Sequence, residues 1–210
     1  TIAPDPKDLD VIFAVGNKLR VDDALTYQTF HDKMAALMDA AFPARAALVQ
    51  AGVDDVASHL FPTDPGAPAN ALVVFPEDVG LVAGLIGSRG ATARTQTTAV
   101  GAIATLLGTY TGPFVHYNTK FPGQPAIRVL VVALTDTFYR AFYETFRELA
   151  MTHGVYLAAA VNVPPARRVE AATEPALVAL LRDPDEPGRT YAYEGVSPFA
   201  HNTSFVLAPY

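Results

Sequence analysis

Short, continuous runs of apolar residues are the strongest pattern in the chain. Three of them cover residues 11–15, 71–75 and 155–161. Runs of this length are typical of β-strands that are covered on both faces, as in a parallel sheet. A last strand is predicted from about Thr203 to Ala208. The run IRVLVVAL (127–134) is ambiguous, because its β-branched residues favour a strand but it leads directly into a helical pattern.

Apolar residues at helical spacing predict two amphipathic helices. The first follows a capping Asp22 or Asp23 and continues to about Ala41, and the second ends at His153-Gly154, a pair typical of a helix C-terminus. Their apolar stripes are Phe30, Met34, Leu37 and Met38 in the first helix, and Phe138, Phe142, Phe146 and Leu149 in the second. We interpret the second stripe as core and not as a cofactor site. Residues 46–60 and the stretch toward Leu106 and Leu107 are also predicted to be helical.

Proline and glycine mark the predicted connections. Residues 1–10 are predicted to be a polar leader, residues 61–69 and 112–125 loops, and the glycine-rich Gly84–Gly90 a flexible connection. A polar loop that includes RDPDEPG precedes the last strand. The order strand, helix, strand, helix, strand predicts an α/β fold, a layered sandwich in which flanking helices cover a largely buried mixed sheet.

Composition excludes several classes of function. The 210 residues are 50% hydrophobic and 17% charged, so the chain can bury a large core. A formal net charge of −6 argues against nucleic acid as a partner, because no basic face is present to neutralise phosphates. The absence of cysteine removes disulfides, thiolate metal sites and a cysteine nucleophile from these residues. No apolar run approaches the roughly 20 residues that span a bilayer.

Three segments, in this order, resemble the carbon–nitrogen hydrolase (nitrilase) superfamily: ALVVFPE (71–77), FRELAMTHGVYLAAAVNVP (146–164) and HNTSFVLAPY (201–210). In that family a strand that ends in Phe-Pro-Glu carries the catalytic glutamate. The resemblance implies a four-layer αββα sandwich that usually forms dimers, and it implies no cofactor and no metal. The implied substrate is a small-molecule amide or nitrile.

The same resemblance implies a Glu-Lys-Cys catalytic set of which only Glu77 lies in this chain. The family's lysine follows the Asn-Thr-x-Phe strand and its turn, and no lysine stands at that position here. We therefore expect residues 1–210 to be a single domain, truncated at its C-terminal side, that is inactive by itself. The complete protein is expected to hydrolyse a nonpeptide carbon–nitrogen bond. Localisation is left open between the cytoplasm and an exported protein whose signal segment is missing.

Glu77 is the candidate catalytic residue. A side chain at the carboxyl end of a sheet strand points into the crevice where α/β proteins bind their ligands. Burial in such a crevice raises the pKa of a carboxyl group toward neutrality, which suits a general base. The alternative is that Glu77 and Asp78 occupy the first turn of a helix, where the helix dipole favours carboxylates. For Asp78 we favour this capping role.

Several other residues have a structural and a functional interpretation, and we favour the structural one. Asn162 before proline is interpreted as the end of a strand, and Asn202 and Thr203 as donors to buried backbone. Gly84–Gly90 lacks the ending of a phosphate-binding loop, and Ser88 is not in a nucleophile elbow. The five histidines have no metal-ligand spacing. Tyr117 and Lys120 are the best alternative pocket residues, but the proline-rich context predicts surface loop.

Two other functions stay open. One is a noncatalytic relative that serves as a scaffold or interaction domain, and the other is an acyltransferase of the same superfamily. The residues after Tyr210 would discriminate between an enzyme and a scaffold, since a nearby lysine and a later cysteine would favour the enzyme and their absence the scaffold.

Overall fold

A mixed four-stranded sheet is the central element of the computed structural model, which describes residues 11–16, 18–41, 71–77 and 79–210. Its strands are β1 (Val11–Ala14), β2 (Ala71–Val74), β3 (Tyr156–Val163) and β6 (His201–Leu207), in the order β1-β2-β3-β6. The first three are parallel, and β6 is antiparallel to β3. A second sheet pairs β4 (Ala166–Glu170) with β5 (Tyr191–Gly195). The predicted α/β class and mixed sheet are confirmed.

Most of the remaining described chain is helical. The α-helices are α1 (Tyr27–Ala41), α2 (Gly87–Arg94), α3 (Ala99–Thr109), α4 (Thr111–Lys120), α5 (Ala126–Ala133), α6 (Thr135–Phe138), α7 (Glu144–His153) and α8 (Pro175–Leu181). A π-helical segment, Tyr139–Tyr143, joins α6 to α7, and Val21–Ala24 and Leu81–Leu85 are 3-10 helices. Within these described ranges, no helix is long and apolar enough to cross a membrane.

Aromatic side chains fill the space between the helices and one face of the sheet. The predicted apolar stripe of the second helix is confirmed as core, since Phe138, Phe142, Phe146 and Leu149 are all buried. The ring of Phe146 lies 4.8 Å from the ring of Phe75, edge to face, which joins α7 to the end of β2. Gly154 then ends α7 in the left-handed conformation, with a φ of 63°, as the sequence predicts.

The other face of the sheet is open in the described part of the chain. In the sheet register, Ile12 lies beside Leu72, Leu72 beside Tyr156, and Ala158 beside Val206. These apolar side chains share the face opposite the helices, and Ile12 and Val206 are 64% and 70% exposed. The prediction that the strands are covered on both faces is therefore wrong at Ile12 of β1. We call this surface the open sheet face.

Two predicted loops are wrong. Residues 112–125 contain most of α4, in which Pro113 stands in the first turn, where a helix tolerates proline because the backbone N–H has no intrahelical partner. Gly84–Gly90, predicted as a flexible connection, instead contains the end of the 3-10 helix Leu81–Leu85 and the start of α2.

Local sequence left one element ambiguous and did not predict three others. Residues 127–134 belong to α5 and the turn after it, so tertiary packing selects a helix for this β-branched run. The region before β6 that the sequence predicts to be a polar loop contains β4, α8 and β5. These elements are too short to produce a clear periodicity. The predicted leader (1–10), helix (46–60) and loop (61–69) lie outside the described residues.

Candidate functional site

The carboxyl edge of the main sheet brings the candidate residues together. Because β1, β2 and β3 are parallel, their carboxyl ends lie at one edge, and the first residues of the antiparallel β6 meet that edge. Asn202 is directly opposite Asn162 in the β3–β6 register. Glu77 stands three residues after the end of β2. This position agrees with the sequence prediction that Glu77 lies at the carboxyl end of a strand.

The turn that carries Glu77 is fixed to the core. Val79 and Gly80 are buried, and the Val79 N–H donates to the Pro76 carbonyl over 3.4 Å. A methyl group built on Gly80 would lie 2.6 Å from Phe142 Cδ2 and 2.7 Å from Val161 Cβ. Only glycine permits this close approach, so the backbone at Gly80, three residues after Glu77, packs directly against the π-helical segment and β3.

Glu77 and Asn202 are joined by a hydrogen bond. The Asn202 side-chain amide, Nδ2, donates to Glu77 Oε1. Both residues are exposed, so the burial expected for a general base is not observed for Glu77. Asn202 was expected to donate to buried backbone, and that expectation is wrong, because its partner is a carboxylate.

The neighbours of this pair differ in part from the predictions. Asn162 does not end the strand, because β3 continues to Val163. The Thr203 hydroxyl donates to the His201 carbonyl over 3.2 Å, so its partner is backbone as predicted, but the bond is local and exposed and not buried. Asp78 lies outside the described residues.

A second polar cluster, not predicted as a unit from the sequence, surrounds Glu194 on β5. Glu194 is 4% exposed, and its carboxylate accepts hydrogen bonds from Lys120 Nζ over 2.5 Å and from Arg167 Nε over 2.6 Å. His116 Nε2 lies 3.3 Å from the same carboxylate. Burial raises the pKa of Glu194, but the hydrogen bonds and charges of Lys120 and Arg167 outweigh it and hold the pKa below its usual value.

Tyr117 and Lys120, the alternative pocket residues, belong to this cluster. Both lie on α4, Tyr117 is buried, and its hydroxyl accepts a hydrogen bond from the Gly195 N–H over 2.8 Å. Lys120 Nζ also donates to the Gly195 carbonyl over 3.1 Å. These contacts fix the end of β5, so we assign both residues a structural role. The only local sequence signal for this cluster is the Tyr-Ala-Tyr-Glu alternation of β5, which is too short to predict burial.

A buried ion pair connects α6 to the chain before β5. The side chains of Arg189 and Asp136 are hydrogen-bonded and only 6% and 3% exposed, and Asp136 also accepts from the Tyr193 N–H over 2.8 Å. Burial raises the pKa of Asp136, and the Arg189 charge opposes that effect. The pair is removed from solvent and joins structural elements, so it is not a candidate for substrate binding.

Three open clefts lie away from Glu77. The first, of about 480 Å³, has Tyr27, His31, Arg140 and Glu186 in its lining, and the second, of about 620 Å³, has Tyr143, Arg147, Tyr191 and Tyr193. The third, of about 650 Å³, has Gly112, Val115, His116 and Leu180. In the first two, polar groups are largely engaged with one another, as in the hydrogen bond from the Tyr191 hydroxyl to Glu144 over 2.7 Å. None of the three linings includes Glu77.

The glycine-rich Gly84–Gly90 segment does not offer an anion site. It leads into α2, where the Ser88 N–H donates to the Asp185 carboxylate over 2.5 Å. The protein's own carboxylate thus occupies the position that a phosphate would take at the N-terminus of this helix.

Among the described histidines, His116 lies beside Glu194 and His153 beside Asp39. His153 ends α7 and lies 3.5 Å from Asp39, and burial lowers its pKa more than the Asp39 charge raises it. His59 lies outside the described residues. Among the residues that are described, no group of three or more His, Cys, Asp or Glu side chains could hold a metal ion.

The fold and the site define an α/β protein with a carboxylate–carboxamide pair at the carboxyl edge of a mixed sheet. Comparisons with protein-family models, with curated proteins and with solved structures find no match for this chain.

Proposed function

We propose that the complete protein hydrolyses a nonpeptide carbon–nitrogen bond in a small-molecule amide or nitrile, with Glu77 as the general base. The observation that carries the proposal is the position of Glu77 at the carboxyl edge of the parallel strands, on a turn fixed to the core, with its carboxylate hydrogen-bonded by Asn202. In α/β proteins this edge is where ligands bind.

The proposed chemistry needs two further groups. With an amide, Glu77 would accept the thiol proton of a cysteine as the cysteine attacks the carbonyl carbon, and would pass that proton to the leaving nitrogen as the carbon–nitrogen bond breaks and the thioester forms. The carboxylate would then accept a proton from the water that attacks the thioester, and would return it to the thiolate that leaves. A lysine ammonium would stabilise the negative charge on the tetrahedral oxygen. The 210 residues contain no cysteine, and Lys120 is bound to Glu194, so we propose that both groups come from outside these residues.

The open sheet face supports a four-layer fold for the complete protein. A sheet with parallel strands is normally covered on both faces, whereas Ile12 and Val206 here are largely exposed. We propose that a second sheet with its own helices packs on this face, as in an αββα sandwich. Since Asn202 and Val206 lie on the same face of β6, that second layer would also shield Glu77 and Asn202 from water.

Glu77→Gln tests the proposed function. We expect the substitution to lower the rate of ammonia release from a panel of amides and nitriles by about 10²- to 10⁴-fold, the usual contribution of a general base. The assay uses the longest natural polypeptide that contains these 210 residues. Glu170→Gln, at an exposed carboxylate that pairs with Arg168, is the matched control and should keep normal turnover. Normal turnover of Glu77→Gln would show that the base is assigned wrongly.

A noncatalytic scaffold is the second candidate. The exposure of Glu77 and the apolar open sheet face favour it, since contiguous exposed apolar surface marks interaction sites. Failure of the complete protein to turn over any substrate of the panel, with or without an added amine acceptor, would favour the scaffold. Acyl transfer to the amine would instead indicate an acyltransferase.

A further inference from the structure

We infer that Asn202 is a positioning residue for Glu77: its side-chain amide orients the carboxylate for proton transfer. The inference rests on the proposed function of Glu77 as a base. Asn202 Nδ2 donates to Glu77 Oε1. Among the residues that the structure describes, no donor occupies the second carboxylate oxygen, Oε2, so this oxygen can accept a proton.

The position of Asn202 is fixed by the sheet. The residue is in the second position of β6 and pairs in register with Asn162 of β3, the strand next to β2. A donor on a paired strand is held more precisely than a donor on a loop, as positioning requires. Because Asn202 and Glu77 are 125 residues apart in sequence, the contact exists only when β6 is correctly docked.

The chain that leads into β6 is anchored at several points. The Val196 N–H donates to the Pro165 carbonyl over 2.8 Å, and the Gly195 peptide is held by Tyr117 and Lys120. The Arg128 guanidinium lies 4.9 Å from the centre of the Phe199 ring. These contacts hold the segment before Asn202 against α4 and α5.

A neutral amide donor suits this position. Asn202→Ala removes the donor, and Asn202→Asp places a second carboxylate against Glu77, which repels it at neutral pH. Ser204 provides the matched control, because it lies two residues further along β6 on the same face, is exposed, and makes no hydrogen bond to Glu77.

The contact itself can be tested by NMR on the 210-residue chain. We expect the Asn202 side-chain amide signals, assigned by their loss in Asn202→Ala, to shift upfield in Glu77→Ala and to stay unchanged in Ser204→Ala. If the signals are the same in wild type and Glu77→Ala, the hydrogen bond is absent and the positioning role is excluded, whatever the activity of the protein.

Kinetics on the complete protein test the role. We expect Asn202→Ala to lower kcat by about 10- to 100-fold with little change in KM, since a misplacement of about 1 Å can cost 10²-fold in rate. We expect a larger decrease in kcat for Asn202→Asp and a smaller one for Asn202→Gln than for Asn202→Ala. The kcat of Ser204→Ala should equal that of the wild type. Thermal unfolding of each variant confirms that it is folded.

The outcomes separate this inference from the proposed function. Normal kcat in Asn202→Ala together with a large loss in Glu77→Gln would overturn the positioning role and leave the base assignment intact. Normal turnover in Glu77→Gln would overturn the base assignment, and the positioning role with it. A loss in Asn202→Ala that appears in KM and not in kcat would also contradict positioning, because it would indicate a substrate contact.

Discussion

At the residue scale, the site depends on a glycine as much as on a carboxylate. Gly80 lets the turn after Glu77 approach Phe142 and Val161 more closely than any side chain would permit. Close packing at Gly80 fixes the backbone three residues after Glu77, whose own side chain is exposed. Fixed backbone next to a functional side chain is a general requirement for precise geometry.

Gly80→Ala should destabilise the chain. The new methyl group would lie 2.6 Å from Phe142 Cδ2, and overpacking of this kind typically costs about 1 to 3 kcal/mol in the free energy of unfolding. Urea denaturation monitored by circular dichroism measures the change. Gly108→Ala on α3 is the control: an added methyl meets nothing within 4 Å there, so stability should be unchanged or higher by up to about 1 kcal/mol. Equal effects of the two substitutions would contradict the close approach at Gly80.

At the element scale, the Glu194 cluster connects one helix to the second sheet. Glu194 is on β5, Arg167 on β4 and Lys120 on α4, and the carboxylate that joins them is almost completely buried. Since the chain passes from β5 to β6 within a few residues, the cluster also helps to place Asn202. A buried carboxylate with two cationic donors stabilises such a junction, provided that all partners are present.

Glu194→Gln should lower the free energy of unfolding at pH 7 by about 1 to 3 kcal/mol, the usual contribution of hydrogen bonds to charged groups. Glu170→Gln removes an exposed ion pair with Arg168 and should cost less than about 1 kcal/mol. Both values come from urea denaturation of the 210-residue chain. A Glu194→Gln value as small as the Glu170→Gln value would show that the cluster contributes little.

The stability difference between wild type and Glu194→Gln should depend on pH in a direction that the pKa of Glu194 determines. The folded-state pKa of Glu194 is lower than usual, so its stabilising contribution is complete above the unfolded-state pKa of about 4.3 and is lost as the pH falls through the folded-state pKa. The stability difference between wild type and Glu194→Gln should therefore shrink below about pH 4.3. A difference that grows on acidification would contradict the lowered pKa.

At the scale of the whole molecule, the sheet has one face that is covered and one that is open in the part of the chain that the structure describes. Helices and aromatic rings cover the first, whereas apolar side chains from all four strands share the second. Exposed Ile12 and Val206 are unusual for a sheet built on parallel strands. This asymmetry is the basis for the proposed second layer.

Val206→Asp tests that layer. In the 210-residue chain we expect a change in the free energy of unfolding of less than about 1 kcal/mol, the range of strand propensities, because Val206 is 70% exposed. In the complete protein the new carboxylate would be buried without a partner, and the cost should exceed about 3 kcal/mol. Val100→Asp on α3, where Val100 is 78% exposed, should have a small effect in both polypeptides. The same small effect of Val206→Asp in both would argue against a covering layer.

Local sequence patterns predicted the elements whose signal is contained within a few neighbouring residues. The apolar runs identified β1, β2 and β3, the Phe stripe identified the buried face of α7 and the segment before it, and Gly154 identified a left-handed helix end. The same patterns failed at α4, where Pro113 in a first turn resembles a loop residue, and at the short elements β4, β5 and α8. Periodicity needs more residues than these elements provide.

The sequence by itself determined the α/β class and the position of Glu77 at a strand end, because backbone preference and side-chain periodicity act over short distances along the chain. Tertiary structure alone decided that Asn202 donates to Glu77, that Glu194 is buried between Lys120 and Arg167, and that one sheet face stays open. Each of these depends on segments far apart in sequence that meet only when the strands pair and the helices pack, and no local pattern specifies such contacts.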